Sequence, residues 1–157
     1  MMIKPFSKIL VTAQSNSACD EIGERLLKCT PNLNIFRLYS PSLLKTKEVL
    51  NKSLVPLSNL RDLKKEVFPS QEELQHFQVI ICTITSSSKL DRANLHQHFD
   101  YIFIDECAAT TEPEVLIPIL GLGCFNRGVF SNIVLMGDHK QLPPVITSSF
   151  AKELGLG

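Results

Sequence analysis

The 157-residue chain has no net charge, because sixteen lysines and arginines balance sixteen aspartates and glutamates. No bulk field announces a nucleic-acid or membrane partner, so any site for a polyanion has to be local. CxxC pairs are also lacking. The five cysteines, Cys19, Cys29, Cys82, Cys107 and Cys124, are odd in number, which speaks against a disulfide framework or a zinc site and for a reducing compartment. The start, Met1-Met2-Ile3-Lys4-Pro5, lacks the apolar stretch of a signal peptide, and no run reaches the roughly 18 apolar residues that cross a bilayer. A soluble protein of the cytoplasm or nucleus is expected. Internal repeats and low-complexity tracts are absent too. With 44% hydrophobic residues, the length suits one globular domain with a substantial core.

Five short apolar runs are present: KILVTA at 8–13, IFRLY at 35–39, VIICTI at 79–84, YIFI at 101–104 and NIVLM at 132–136. Runs this short, continuous and rich in β-branched residues predict strands buried on both faces. Residues 15–29 place Ile22, Leu26 and Leu27 at helical spacing behind a Ser/Asn start. Residues 113–125 predict a second helix, with Val115, Leu116, Ile119 and Leu120 as its apolar face and Glu112 and Glu114 at its N-terminus. Alternating strands and helices imply an α/β fold with a mostly parallel sheet. Residues 40–75 fit less well, being polar and interrupted by Pro41, Pro56 and Pro69. They read as an insertion with short helices on the sheet's edge.

In such a sheet, ligands bind outside the carboxyl ends of the strands. Asp105 and Glu106 stand at that end of the fourth strand. One carboxylate there suits Mg²⁺ held through water, and its neighbour suits orienting and deprotonating an attacking water. The plainer alternative is a helix cap. A second hydrophobic strand ends in Gly137-Asp138-His139-Lys140-Gln141-Leu142-Pro143-Pro144. Gly137 allows a tight turn beside a ligand, Gln141 offers both a donor and an acceptor, and the prolines stiffen the exit. Two polar loops at one sheet edge make a candidate site. His96 and His98 read as a surface loop, and Cys82 as a small buried hydrophobe. The cluster Lys45, Lys47, Arg61, Lys64 and Lys65 reads as a solvated face or an aid to binding a polyanion.

The string FIDECAATTEPE followed by VLMGDHKQLPPV resembles the DEAA-type and GDxxQLxP motifs of superfamily 1 helicases of the up-frameshift-like group. ILVTAQSNSACDEIGERLL, NIFRLYSPS and VIICTITSSSKL extend the resemblance over residues 8–157. The whole is most similar to the Moloney leukaemia virus ten and Armitage RNA helicases of RNA silencing. The resemblance implies a RecA-like P-loop NTPase fold, with residues 1–157 as part of the first motor domain. It also implies an ATP-dependent RNA helicase of the cytoplasm, ribonucleoprotein granules included, that uses ATP and Mg²⁺, binds single-stranded RNA and joins silencing-complex proteins. Carried over by position, Asp105 binds Mg²⁺ through water, Glu106 activates the hydrolytic water, and Gln141 senses the γ-phosphate in a loop shaped by Gly137 and Asp138. Ser15, Asn16 and Ser17 meet the RNA backbone at a helix start, and Thr83, Thr85 and Ser86 touch the same strand.

Two departures are small: Gln14 stands where many relatives carry proline, and Cys107 where alanine is usual. The large one is that none of the seven glycines lies in a GxxxxGK[ST] phosphate loop. With that loop and the second motor domain absent, this chain alone is expected to turn over ATP poorly, for want of amides and a lysine to offset the phosphate charge. A superfamily 1 helicase of RNA decay or of DNA fits the same motifs, as does a non-catalytic remnant binding RNA or protein.

Overall fold

Each of the five apolar runs forms a strand in the computed structural model, which describes residues 6–40, 43, 50–62, 65–126, 129–140 and 143–155. The chain runs β1 (Ile9–Ala13), α1 (Asn16–Cys29), β2 (Ile35–Leu38), α2 (Gln71–His76), β3 (Val79–Thr83), α3 (Ser88–Arg92), β4 (Tyr101–Ile104) and α4 (Glu112–Leu122). A hairpin of β5 (Phe125–Asn126) and β6 (Val129–Phe130) precedes β7 (Asn132–Leu135) and α5 (Ser149–Glu153). Single 3-10 turns lie at Val55–Leu57, Thr85–Ser87 and Cys107–Ala109. The five long strands pair in the order β2-β3-β1-β4-β7, every pair parallel. The expected α/β architecture is present.

Strand alternation divides the core. Leu10, Phe36, Ile80, Ile102 and Ile104 face one side and pack with Leu90, Leu95 and Leu122. Val11, Ala13, Ile35, Val79 and Ile81 face the other, under Cys19, Ile22 and Leu26 of α1. Burying each such side chain contributes about 1.5–3 kcal/mol. Helix α1 starts where expected: the Ser15 hydroxyl accepts the Ala18 N–H at 3.1 Å, which gives an acceptor to one of the otherwise unpaired donors of the first turn.

Three expectations change. Strands β1, β2 and β3 are enclosed on both faces, but β7 is an edge strand with Asn132 and Leu135 exposed. On α4 the inward residues are Val115, Pro118, Ile119 and Leu122, while Leu116 and Leu120 of the predicted apolar face are 45% and 69% exposed. The sequence EPEVLIPILGL is apolar nearly all round, so its spacing does not select a face. Third, residues 125–130 turn back as the β5–β6 hairpin, and α4 ends at Leu122. Within residues 40–75, the turn Val55–Leu57 packs beside β2, with Ser58 bridged to Arg37. Of the basic cluster, Arg61 and Lys65 are exposed, and Lys45, Lys47 and Lys64 lie outside the described residues.

Candidate functional site

Because β3, β1, β4 and β7 are consecutive and parallel, their carboxyl ends form one ledge. Backbone bonds continue past the strands: the Ile84 N–H donates to Ala13 O at 3.0 Å, Asp105 to Thr12 O at 2.8 Å, and Met136 to Ile104 O at 2.8 Å. Asp105 is half-buried and Glu106 exposed. The Glu106 N–H donates to Asp105 Oδ1 at 2.9 Å, and Glu106 has φ 55°, in the left-handed region. For a side chain of this size that backbone costs roughly 1–2 kcal/mol. Such cost is tolerated where the surroundings hold it and is concentrated at functional sites.

The capping alternative divides: Glu106 is the N-cap residue of the 3-10 turn Cys107–Ala109, without a side-chain cap bond, whereas neither carboxylate caps α4. Helix α4 is capped by Thr111, whose N–H and hydroxyl both donate to Glu114 Oε2, at 3.2 and 2.8 Å. Asp105 and Glu106 take no part in that cap. Their carboxylates stand on the ledge, one oxygen of Asp105 engaged by its neighbour's amide.

The ends of β1, β4 and β7 are joined across the ledge. The Cys107 N–H donates to Met136 O at 2.9 Å, and Gln14 Nε2 donates to Ala109 O at 2.7 Å. A Cβ on Gly137 would lie 2.8 Å from the Ala108 nitrogen and 3.2 Å from Cys107 Sγ. The glycine therefore serves close approach of two loops, in place of the tight ligand-side turn expected from sequence. Gln14 was legible only as a departure from a family pattern, yet it ties β1 to the carboxylate turn. Asp138 Oδ1 accepts the Lys140 N–H at 2.9 Å, shaping its loop. Gln141 lies outside the described residues.

The other half of the ledge carries hydroxyls. Ser15 and Ser17 Oγ atoms are 3.1 Å apart, and no acidic residue occupies the first turn of α1. A cavity of about 490 Å³ opens there, lined by Gln14, Ser15, Asn16, Ser17, Asp20 and Tyr39 among others. After β3, Thr83 Oγ1 donates to Ser86 Oγ at 2.8 Å, and both residues are buried. Their hydroxyls shape the turn, while Thr85 is exposed. Among the described residues no three metal-ligating side chains cluster. A divalent ion here would be held by one or two carboxylates, waters and ligand oxygens, a donor set that suits Mg²⁺.

Under the ledge, Cys19 Sγ donates to Cys82 O at 3.2 Å. Burial, only partly offset by the Arg37 charge, pushes the Cys19 thiol up to about 11, and burial pushes Cys82 up as well. Only thiolates react readily. With an aromatic disulfide reagent at pH 8, the exposed Cys29 should label first, and Cys19 and Cys82 only with denaturant. Labelling of Cys19 in the native chain at the rate of Cys29 would contradict this packing.

The AAA domain family profile matches residues 57–149. The chain belongs to this AAA domain family. Within it, the sequence sits with the up-frameshift-like superfamily 1 helicases. It is 35% identical over 154 residues to "Putative helicase mov-10-B.1" of Danio rerio, covering 96% of this chain and 15% of that protein. It is also 35% identical over 157 residues to "Putative helicase MOV-10" of Gallus gallus, covering 96% of this chain and 16% of that protein. Against "Regulator of nonsense transcripts 1 homolog" of Neurospora crassa it is 32% identical over 177 residues, covering 96% and 15%. The chain thus spans about 15% of the length of these relatives. The parallel sheet with flanking helices is that of a RecA-like motor domain, and no helix among the described residues is long and apolar enough to cross a membrane. The matched span includes both carboxylates and the Gly137 loop of the AAA domain, and it leaves out Ser15 to Ser17.

Proposed function

We propose that this AAA domain contributes the hydrolytic carboxylates and an RNA-contacting edge to an ATP-dependent RNA helicase motor. The observation that carries the reading is the joined ledge, in which Gln14, Ala109, Cys107, Met136 and Gly137 lock three strand ends together beneath Asp105 and Glu106. Asp105 would hold Mg²⁺, since its hard oxygens suit that ion and one of them makes no hydrogen bond among the described residues. The chemistry that ion would supply with bound ATP is neutralisation of phosphate charge. Glu106 orients the attacking water and takes its proton. Gly137 and Asp138 shape the start of the loop, and Gln141 would sense the γ-phosphate. By itself the 157-residue chain hydrolyses ATP slowly, because it has no GxxxxGK[ST] to hold the phosphates.

Single-stranded RNA lies over the β3 and β1 ends. The free N–H groups of the first turn of α1, with Ser15, Asn16 and Ser17, bind a backbone phosphate. Thr85 offers a hydroxyl from the next strand end, held out by the Thr83–Ser86 turn. The motif string and the likeness to the two MOV-10 relatives favour the RNA-silencing group, with silencing-complex proteins as partners in the cytoplasm and a second motor domain completing the machine.

A charge swap separates this reading from a purely structural helix start. In Ser17→Glu, an acid enters the first turn of α1 and stabilises the helix by about 0.3–1 kcal/mol through its dipole. The same charge repels a phosphate. Thermal stability should hold or rise, while affinity for a fluorescent single-stranded RNA falls roughly tenfold, the worth of one hydrogen bond to a charged group. Unchanged affinity would sink the RNA-edge assignment, and equal competition by single-stranded DNA would favour a DNA-acting motor.

A further inference from the structure

Arg37 is the charged residue in the apolar run of β2, and it is completely buried. It shares the α1-facing side of the sheet with Ile35. Its Nε donates to Asp20 Oδ1 at 2.7 Å, and its Nη2 donates to the Asn16 backbone oxygen at 3.3 Å and to Asn16 Oδ1 at 3.0 Å. Nη1 donates to Leu38 O at 2.8 Å, and the guanidinium carbon lies 4.1 Å from the centre of the Tyr39 ring. Every face of the fork has a partner.

Apolar residues in place of both Arg37 and Asp20 could fill this space, and a buried ion pair adds little stability over such a filling of the whole pair. What the fork supplies is direction. It grips the side chain and the carbonyl of Asn16, one residue past the N-cap, and Asp20 one turn on. The first turn of a helix is otherwise prone to fray, because its N–H groups lack partners within the helix. Ser15, Asn16, Asp20 and Tyr39 line the same cavity.

We propose that Arg37 is a positioning residue for nucleic-acid binding: it cannot touch RNA, and it fixes the first turn of α1 so that the Ser15 to Ser17 segment presents its donors to a backbone phosphate. This rests on the RNA-edge reading above.

The test uses Arg37→Lys in the full 157-residue chain. Lysine keeps the charge opposite Asp20, but one ammonium cannot serve Asp20 and both Asn16 acceptors in the geometry of a planar fork. The Ala18 and Cys19 amides, which donate to Ser15, should exchange about tenfold faster, with the Leu10 and Ile80 amides unchanged. Affinity for single-stranded RNA should fall about tenfold, as for loss of one phosphate contact. Leu95→Ala, a destabilised control in the opposite core layer, should keep wild-type affinity. If Arg37→Lys leaves either the Ala18 and Cys19 exchange or the RNA affinity at wild-type values while Ser17→Glu weakens binding, the positioning role is overturned and the RNA edge stands. If neither variant weakens binding, both are overturned.

Discussion

Glu106→Gln should lower RNA-stimulated ATP hydrolysis by about 100-fold or more while leaving nucleotide affinity nearly unchanged. A general base typically contributes 10²- to 10⁴-fold, and glutamine keeps the shape and hydrogen-bonding reach of glutamate but cannot take the proton. The left-handed backbone at Glu106 is kept, since the two residues have the same steric demand at φ 55°. The measurement needs a motor with its phosphates held, so the aligned 96% of this chain would replace the matching segment of the Danio rerio relative. The graft should hydrolyse ATP far faster than the isolated chain. Asp105→Asn in the same graft should raise the Mg²⁺ requirement. If the Glu106→Gln graft hydrolyses ATP within a few-fold of the unmodified graft, Glu106 is not the base.

The strand-end positions of these candidate residues were legible in the sequence, because each follows an apolar run. A run such as YIFI has no polar residue to tolerate, so the first carboxylates after it mark the strand end and hence the ledge. Although β7 is an edge strand, the apolar run NIVLM located Gly137 at a strand end in the same way. Its physical role was not legible, because the Ala108 nitrogen that a Cβ would strike comes from a loop about thirty residues earlier in the chain. Gln14 was legible only as a small departure from a family pattern for a similar reason: its partner Ala109 sits 95 residues away. The face of α4 escaped because periodicity needs polar contrast. Thr83 and Ser86 show the limit from the other side: the family resemblance marked them as RNA contacts, and the fold turned their hydroxyls toward each other. Arg37 was read only as one letter of a strand. Its partners Asn16 and Asp20 lie 21 and 17 residues back with no repeat to announce them.

That buried arginine also sets the second large effect. Arg37→Met should destabilise the chain by about 3–5 kcal/mol, the cost of breaking a buried pair by removing one partner. Methionine fills the volume, so the loss is electrostatic. The Asp20 carboxylate, 15% exposed, loses its 2.7 Å donor, and two Asn16 acceptors lose theirs. Out of the 5–15 kcal/mol typical of a domain, this is enough to lower Tm by about 10 °C or more. Adding Asp20→Asn to Arg37→Met removes the stranded charge and should recover at least about 1 kcal/mol, because the two sites are directly coupled. Urea melts of the four forms measure that coupling. A loss below about 1 kcal/mol for Arg37→Met alone would mean that water or another donor reaches Asp20, and that α1 is not anchored to β2 through this side chain. A large loss with partial recovery in the double variant would place the strongest polar link between helix and sheet directly under the Ser15 to Ser17 edge.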